Sequence, residues 1–227
     1  MKKLSCILFA SFILVVIFSV LISGRGYTKD NLAYKLDTNE KIVEKEFYYF
    51  DTLRRSVVQI LACGETGSAF GTGFFIDENK TIITNYHVIR EAEKVYIMFK
   101  EDEYAYRANV LYFDEENDIA ILTSNYDFEF NYLPLTFDTK INETIYTCGF
   151  STNYNVTHGN IIDNMAPYKG KYYIDITNIV YSGNSGGPAL NKDGEVVGVV
   201  TLGNSVSTSL VPSYKVYNAI HNLKNES

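Results

Sequence analysis

Three side chains in this sequence have the types that together make a nucleophile of a hydroxyl: Ser185, His87 and Asp118. A serine hydroxyl attacks carbonyl carbon poorly at neutral pH. It needs a base within hydrogen-bonding reach, and that base needs a third group to fix its tautomer. The attack also gathers negative charge on the carbonyl oxygen, which pre-aimed backbone N–H groups stabilise. The chain offers three histidines as bases, His87, His158 and His221. His221 lies among polar residues near the C-terminus and reads as solvated.

Ser185 stands in Ser182-Gly183-Asn184-Ser185-Gly186-Gly187-Pro188, between the apolar run ITNIVY and the strand-like EVVGVV. Glycines at 183, 186 and 187 permit a tight loop with positive φ that turns successive N–H groups into one concavity. The N–H groups of Gly183 and Ser185 are the candidate oxyanion hole. His87 follows the run TIITN, where a strand ends and its last side chains can reach a cleft. Asp118 opens NDIAIL (117–122), a carboxylate directly ahead of an apolar strand. Taken singly, each has a plain structural reading: an incidental serine in a glycine-rich hairpin, a structural histidine, a turn aspartate.

The elements that must position them begin at Phe47. Segments such as SVVQILACG, GTGFFID, KTIITNYHV, KVYIMF, ANVLYFD, DIAILTS, ETIYTCGF, YYIDIT and EVVGVVTLG recur, separated by Gly, Asn and Asp. Many short strands without helix-period segments between them predict an all-β sandwich or barrel. A helix is predicted over 213–223, where Val216, Ile220 and Leu223 recur at helical spacing. The folded unit is therefore expected over 47–223, behind a polar stalk or linker at 27–46. Hydrophobic residues make up 46% of the 227 and charged residues 21%, which excludes a mainly disordered chain. The net charge of −7, with no stretch concentrating Lys and Arg, leaves nucleic acid without an electrostatic footprint.

At the N-terminus, Lys2 and Lys3 precede an uncharged run over 4–22 interrupted only by Ser5, Ser11 and Ser19. At about 1.5 Å per residue that run spans roughly 28 Å, close to a bilayer's hydrocarbon core. The expectation for 1–26 is a cytoplasmic tip and a transmembrane signal anchor, with the remainder held outside the cell membrane. The other reading is a cleaved secretory signal and a secreted protein, although Leu21 and Ile22 stand where cleavage needs small residues. Cys6 falls within the run. Cys63 and Cys148 read either as two thiols behaving as small hydrophobes or, outside the cytoplasm, as a disulfide. No zinc-like spacing occurs, and no metal or cofactor is expected.

The order His, Asp, Ser resembles that of the trypsin-like serine protease superfamily, and the local motifs are most similar to the HtrA/Deg-type proteases. GTGFFID (71–77) resembles the family's glycine-flanked strand, TNYHV (84–88) its histidine motif, NDIAIL its aspartate motif and GNSGGP (183–188) its nucleophile loop. NVTHGNII (155–162) is similar to a hairpin of the second barrel, and LVPS (210–213) to the segment before the terminal helix. The resemblance covers about residues 52–222. It implies two six-stranded antiparallel β-barrels, with His87 and Asp118 from the first, Ser185 from the second, and the site in the cleft between them. His87 would serve as general base and then acid, with Asp118 holding the imidazole. Thr201-Leu202-Gly203 would offer backbone groups to an extended protein substrate.

In such folds Ile179 and Val180, six and five positions before the nucleophile, line the pocket ahead of the cleaved bond, facing Val199, Val200 and Thr201. No acid stands there to reward Lys or Arg, so a small apolar pocket is expected, preferring Val, Ala, Leu or Ile. His158 falls where the similar hairpin commonly carries a small residue. It reads as solvent-facing, with pH sensing or substrate contact as the other reading. Family members often carry a PDZ domain after the protease. This sequence stops after the terminal helix, so none is expected, and the oligomeric state stays open. The whole predicts a serine endopeptidase acting on unfolded or extended proteins. The alternative is a catalytically silent binding or scaffold protein on the same fold. The presence of all three triad types and of the loop glycines argues against it.

Overall fold

The computed structural model describes residues 53–100, 102–203 and 206–226. The expected anchor over 4–22 and stalk over 27–46 lie outside the described residues. Among the described residues no helix is long and apolar enough to cross a membrane.

Six strands close the first antiparallel barrel: β1 (Val57–Gly64), β2 (Gly67–Phe75), β3 (Ile82–Thr84), β4 (Lys94–Met98), β5 (Tyr106–Asp114) and β6 (Ile119–Thr123), in the order β1-β2-β3-β6-β5-β4. Six more close the second: β7 (Thr144–Phe150), β8 (Tyr154–Tyr168), β9 (Lys171–Ile176), β10 (Pro188–Leu190), β11 (Val196–Gly203) and β12 (Thr208–Pro212), in the order β10-β11-β12-β9-β8-β7. One short helix, α1 (Tyr86–Ile89), follows β3, and α2 (Ser213–Glu226) ends the chain. The two expected six-stranded barrels and the C-terminal helix are present.

Side-chain alternation explains why several strands read as unbroken apolar runs. Along β6, Ile119 and Ile121 enter a core shared by both barrels, while Ala120 and Leu122 fill the first barrel. Val57 and Phe74 likewise face the shared core, and their neighbours Val58 and Phe75 face the first barrel. Both faces are buried, so neither can be polar. On β11 the period slips: Leu190 pairs with Val196 but Ala189 with Gly198, leaving Val197 as the extra residue of a bulge. Val196 and Val199 therefore both reach the shared core, while Val197 and Val200 fill the second barrel. The apolar stripe of α2 closes the shared core through Val216 and Ala219, with Ile220 and Leu223 against it.

Cys63 on β1 and Cys148 on β7 belong to different barrels, and both are free thiols. Cys148 is fully enclosed. Burial pushes its thiol up to about 12, against a smaller opposing hydrogen bond with Tyr154. Cys63 is partly exposed, its Sγ 3.7 Å from the Ser68 hydroxyl. Since the thiolate is the reacting form, alkylation of the native protein near about pH 8 should modify Cys63 and spare Cys148. Peptide mapping after iodoacetamide treatment reads this directly. Equal labelling of both would contradict the burial of Cys148.

Candidate active site

His87 sits on α1 rather than at a strand end. β3 stops at Thr84, the buried Asn85 turns the chain, and its carbonyl accepts from Val88 N at 3.3 Å. Asn85 also reaches the next strand, its Nδ2 donating to the Asp118 carbonyl at 2.9 Å. Asp118 is held at φ 58°, in the left-handed region that Asp tolerates better than most residues. The turn before it is tied by Asp114, whose carboxylate accepts from Asn117 N at 2.9 Å and Nδ2 at 2.8 Å.

That placement brings the Asp118 carboxylate under the imidazole. Oδ1 accepts from His87 N at 2.9 Å, and Oδ2 accepts from His87 Nδ1 at 2.8 Å and from Thr201 Oγ1 at 2.6 Å. With a carboxylate on Nδ1, the proton belongs on Nδ1, and Nε2 is left as an acceptor. Burial alone would push the Asp118 carboxyl up. The hydrogen bonds from His87 and Thr201, with the favourable interaction of His87, outweigh it and hold the group below the ordinary carboxylate value. Thr201, expected to line the pocket and to offer its backbone to substrate, also sends its hydroxyl from the second barrel to Asp118, which a threonine after an apolar run gives no way to foresee.

The Ser185 loop packs directly against the histidine-bearing barrel. A Cβ on Gly186 would lie 2.2 Å from Thr72 O and 3.0 Å from Asn85 N, and the residue has φ 87°, so only glycine serves there. Thr72 on β2 is the junction. Its N donates to Ser185 O at 2.8 Å and its Oγ1 to Gly183 O at 2.7 Å. Its Oγ1 also accepts from Phe150 N at 2.9 Å, while its carbonyl accepts from Thr84 Oγ1 at 2.7 Å.

An account of the loop's N–H groups is then possible. Asn184 N donates to Tyr181 O at 3.0 Å, Gly186 N to Val200 O at 2.8 Å and Gly187 N to Asn184 O at 3.0 Å. Among the described residues the N–H groups of Gly183 and Ser185 donate to nothing, nor does a hydrogen bond join Ser185 Oγ to His87.

Around this centre the expected binding residues separate. Val180 and Val200 pack into the second-barrel core, Val200 being 1% exposed, whereas Ile179 is 48% exposed. A Cβ on the exposed Gly203 would meet Val180 Cγ2 at 2.8 Å. β12 pairs Leu202 and Gly203 on one side. β10 covers only Val196–Val199 on the other, so beyond Val200 that edge of β11 has no strand partner among the described residues. A cavity of about 340 Å³ opens between the β1–β2 hairpin and His87, with Gly64, Ser68 and Arg90 in its walls. His158 is exposed on β8 beside Tyr146. Among the described residues no three His, Cys, Asp or Glu side chains gather as a metal site requires.

Comparison with known proteins gives one family. A profile of the trypsin-like peptidase domain matches residues 71–199. Serine protease HTRA1B of Danio rerio is 30% identical over 212 residues, covering 85% of this chain and 43% of that protein. Serine protease HTRA1 of Xenopus tropicalis is 32% identical over 166 residues, covering 67% and 35%. The probable periplasmic serine endoprotease DegP-like of Bartonella henselae is 30% identical over 141 residues, covering 59% and 28%. In each case the match spans less than half of the relative's length.

Proposed function

Because the chain belongs to the trypsin-like peptidase family, we propose that it is a serine endopeptidase of HtrA type, with Ser185 as nucleophile, His87 as base and Asp118 as orienting carboxylate. The observation that carries this reading is the account of the loop. Within Gly183–Gly187 the N–H groups of Asn184, Gly186 and Gly187 are spent on holding the chain, and the two that remain, of Gly183 and Ser185, are the donors an oxyanion hole beside Ser185 would use.

The reaction follows from these groups. Substrate seats its carbonyl beside Ser185, and His87 Nε2 takes the hydroxyl proton as Oγ bonds to the carbonyl carbon. Hydrogen bonds between nucleophile and base commonly tighten at this stage rather than in the empty site. The oxyanion is met by the two N–H groups, the tetrahedral adduct collapses, and the departing amine takes the proton from His87. Water then repeats the sequence on the acyl-enzyme ester.

An extended substrate would add to the unpaired edge at Thr201-Leu202-Gly203. Its side chain ahead of the cleaved bond would meet Ile179, Val180 and Val200, an apolar surface that favours Val, Ala, Leu or Ile. The cavity beside His87 would take the leaving-group side. Anchored through 4–22, the domain would act outside the cytoplasm on unfolded or extended proteins. A peptide-library profile with the full chain tests the reading. Cleavage after small apolar residues is expected. Absence of any cleavage, with no labelling of Ser185 by a fluorophosphonate, would overturn it.

A further inference from the structure

The Gly183 and Ser185 N–H groups, which donate to no acceptor among the described residues, keep one direction only if the peptide units around them are tied elsewhere. In Gly183-Asn184-Ser185-Gly186-Gly187, Asn184 is the one residue besides the nucleophile with a side chain to serve as a handle. The flanking glycines, at φ 97° for Gly183 and 87° for Gly186, have other backbone conformations open to them at little cost. Asn184 is 1% exposed, and a Cβ on Gly149 would lie 3.2 Å from its Cγ. Its carboxamide is paired with that of Asn155 on β8. Asn184 Nδ2 donates to Asn155 Oδ1 at 3.0 Å, and Asn155 Nδ2 returns a bond to Asn184 Oδ1 at 3.4 Å. Asn155 is fixed in turn, its Nδ2 donating to Ser151 Oγ and to Asn153 O, each at 3.0 Å.

We infer that Asn155 is a positioning residue for the oxyanion hole: its pair with Asn184 pins the nucleophile loop to the β7–β8 hairpin and keeps the Gly183 and Ser185 N–H groups convergent. The inference rests on the reading of Ser185 as nucleophile. Asn155 lies outside the reacting atoms, so its loss acts on the transition state through the loop and leaves ground-state binding of an extended peptide unchanged.

The test is Asn155→Leu in the full chain, assayed on a chromogenic peptide and with a peptidyl trifluoromethyl ketone, whose tetrahedral adduct places an oxyanion in the hole. The expected result is a kcat about 10- to 50-fold lower, smaller than the loss of an oxyanion donor itself. KM should stay within about twofold while the ketone weakens in step with kcat. Asn155→Ser, too short to reach Asn184, should behave alike and serves if Asn155→Leu fails to fold. Wild-type kcat and ketone affinity in a folded variant would overturn the positioning role alone, as would a loss confined to KM. A wild-type chain that neither cleaves peptide nor reacts with a fluorophosphonate would overturn the endopeptidase reading and this inference with it.

Discussion

Replacing Ser185 with alanine is expected to lower kcat/KM by about a million-fold, the scale seen when a triad nucleophile is lost. The argument is that the substitution removes only Oγ. The main-chain groups of residue 185 remain, with its carbonyl on Thr72 N at 2.8 Å and its N–H free for substrate. The two N–H groups proposed as the oxyanion hole therefore survive, and the residual rate should exceed the uncatalysed one by roughly a thousandfold or more. Substrate binding and thermal stability should change little, because no hydrogen bond of Ser185 Oγ holds the loop. Hydrolysis of unfolded casein by the full chain measures it, with Ser182→Ala as companion. Ser182 is exposed and three residues off, so that variant should keep near wild-type activity. Activity persisting in Ser185→Ala would place the nucleophile elsewhere.

The parts of this site that sequence makes legible are those whose chemistry is local. Gly183 and Gly186 announce a loop with positive φ, and both have it. NDIAIL and EVVGVV announce strands buried on both faces, because a strand between two cores has no solvent side to mark with polar residues. What sequence hides is what joins segments far apart in the chain. Thr201, Thr72 and Asn155 lie 83, 111 and 29 positions from the partners they hold in the site. A threonine or asparagine in a strand carries no signal of such a partner. The short β10 and β12 are equally faint, being three and five residues long, the first opening and the second closing on a proline. The helix under His87 was hidden for another reason: one turn is too short to show a period.

Asp118→Asn is expected to lower kcat about ten-thousandfold with the fold retained, although the two side chains have nearly the same shape. The carboxylate accepts from His87 N, His87 Nδ1 and Thr201 Oγ1, and accepting from all three requires no proton of its own. An amide turns one of those positions into a donor. If its NH2 faces Nδ1, that nitrogen must become the acceptor and the ring proton moves to Nε2, where it blocks proton removal from Ser185. The loss should recover in part at high pH, where hydroxide can take the Ser185 proton that Nε2 no longer accepts. Stability carries a second signature. Because the folded-state carboxyl is held below its ordinary value, its contribution is fully present above about pH 4 and is lost as pH falls through the lower folded-state value. Asp118→Asn removes that titration, so its unfolding midpoint in urea should fall less steeply than the wild type's below about pH 4. Thr201→Val separates the two roles: it deletes one donor to Oδ2, leaves the tautomer intact, and should raise the Asp118 carboxyl while costing far less activity than Asp118→Asn. Parallel acid slopes for wild type and Asp118→Asn would show that the carboxylate is not ionised and bound as its three hydrogen bonds require.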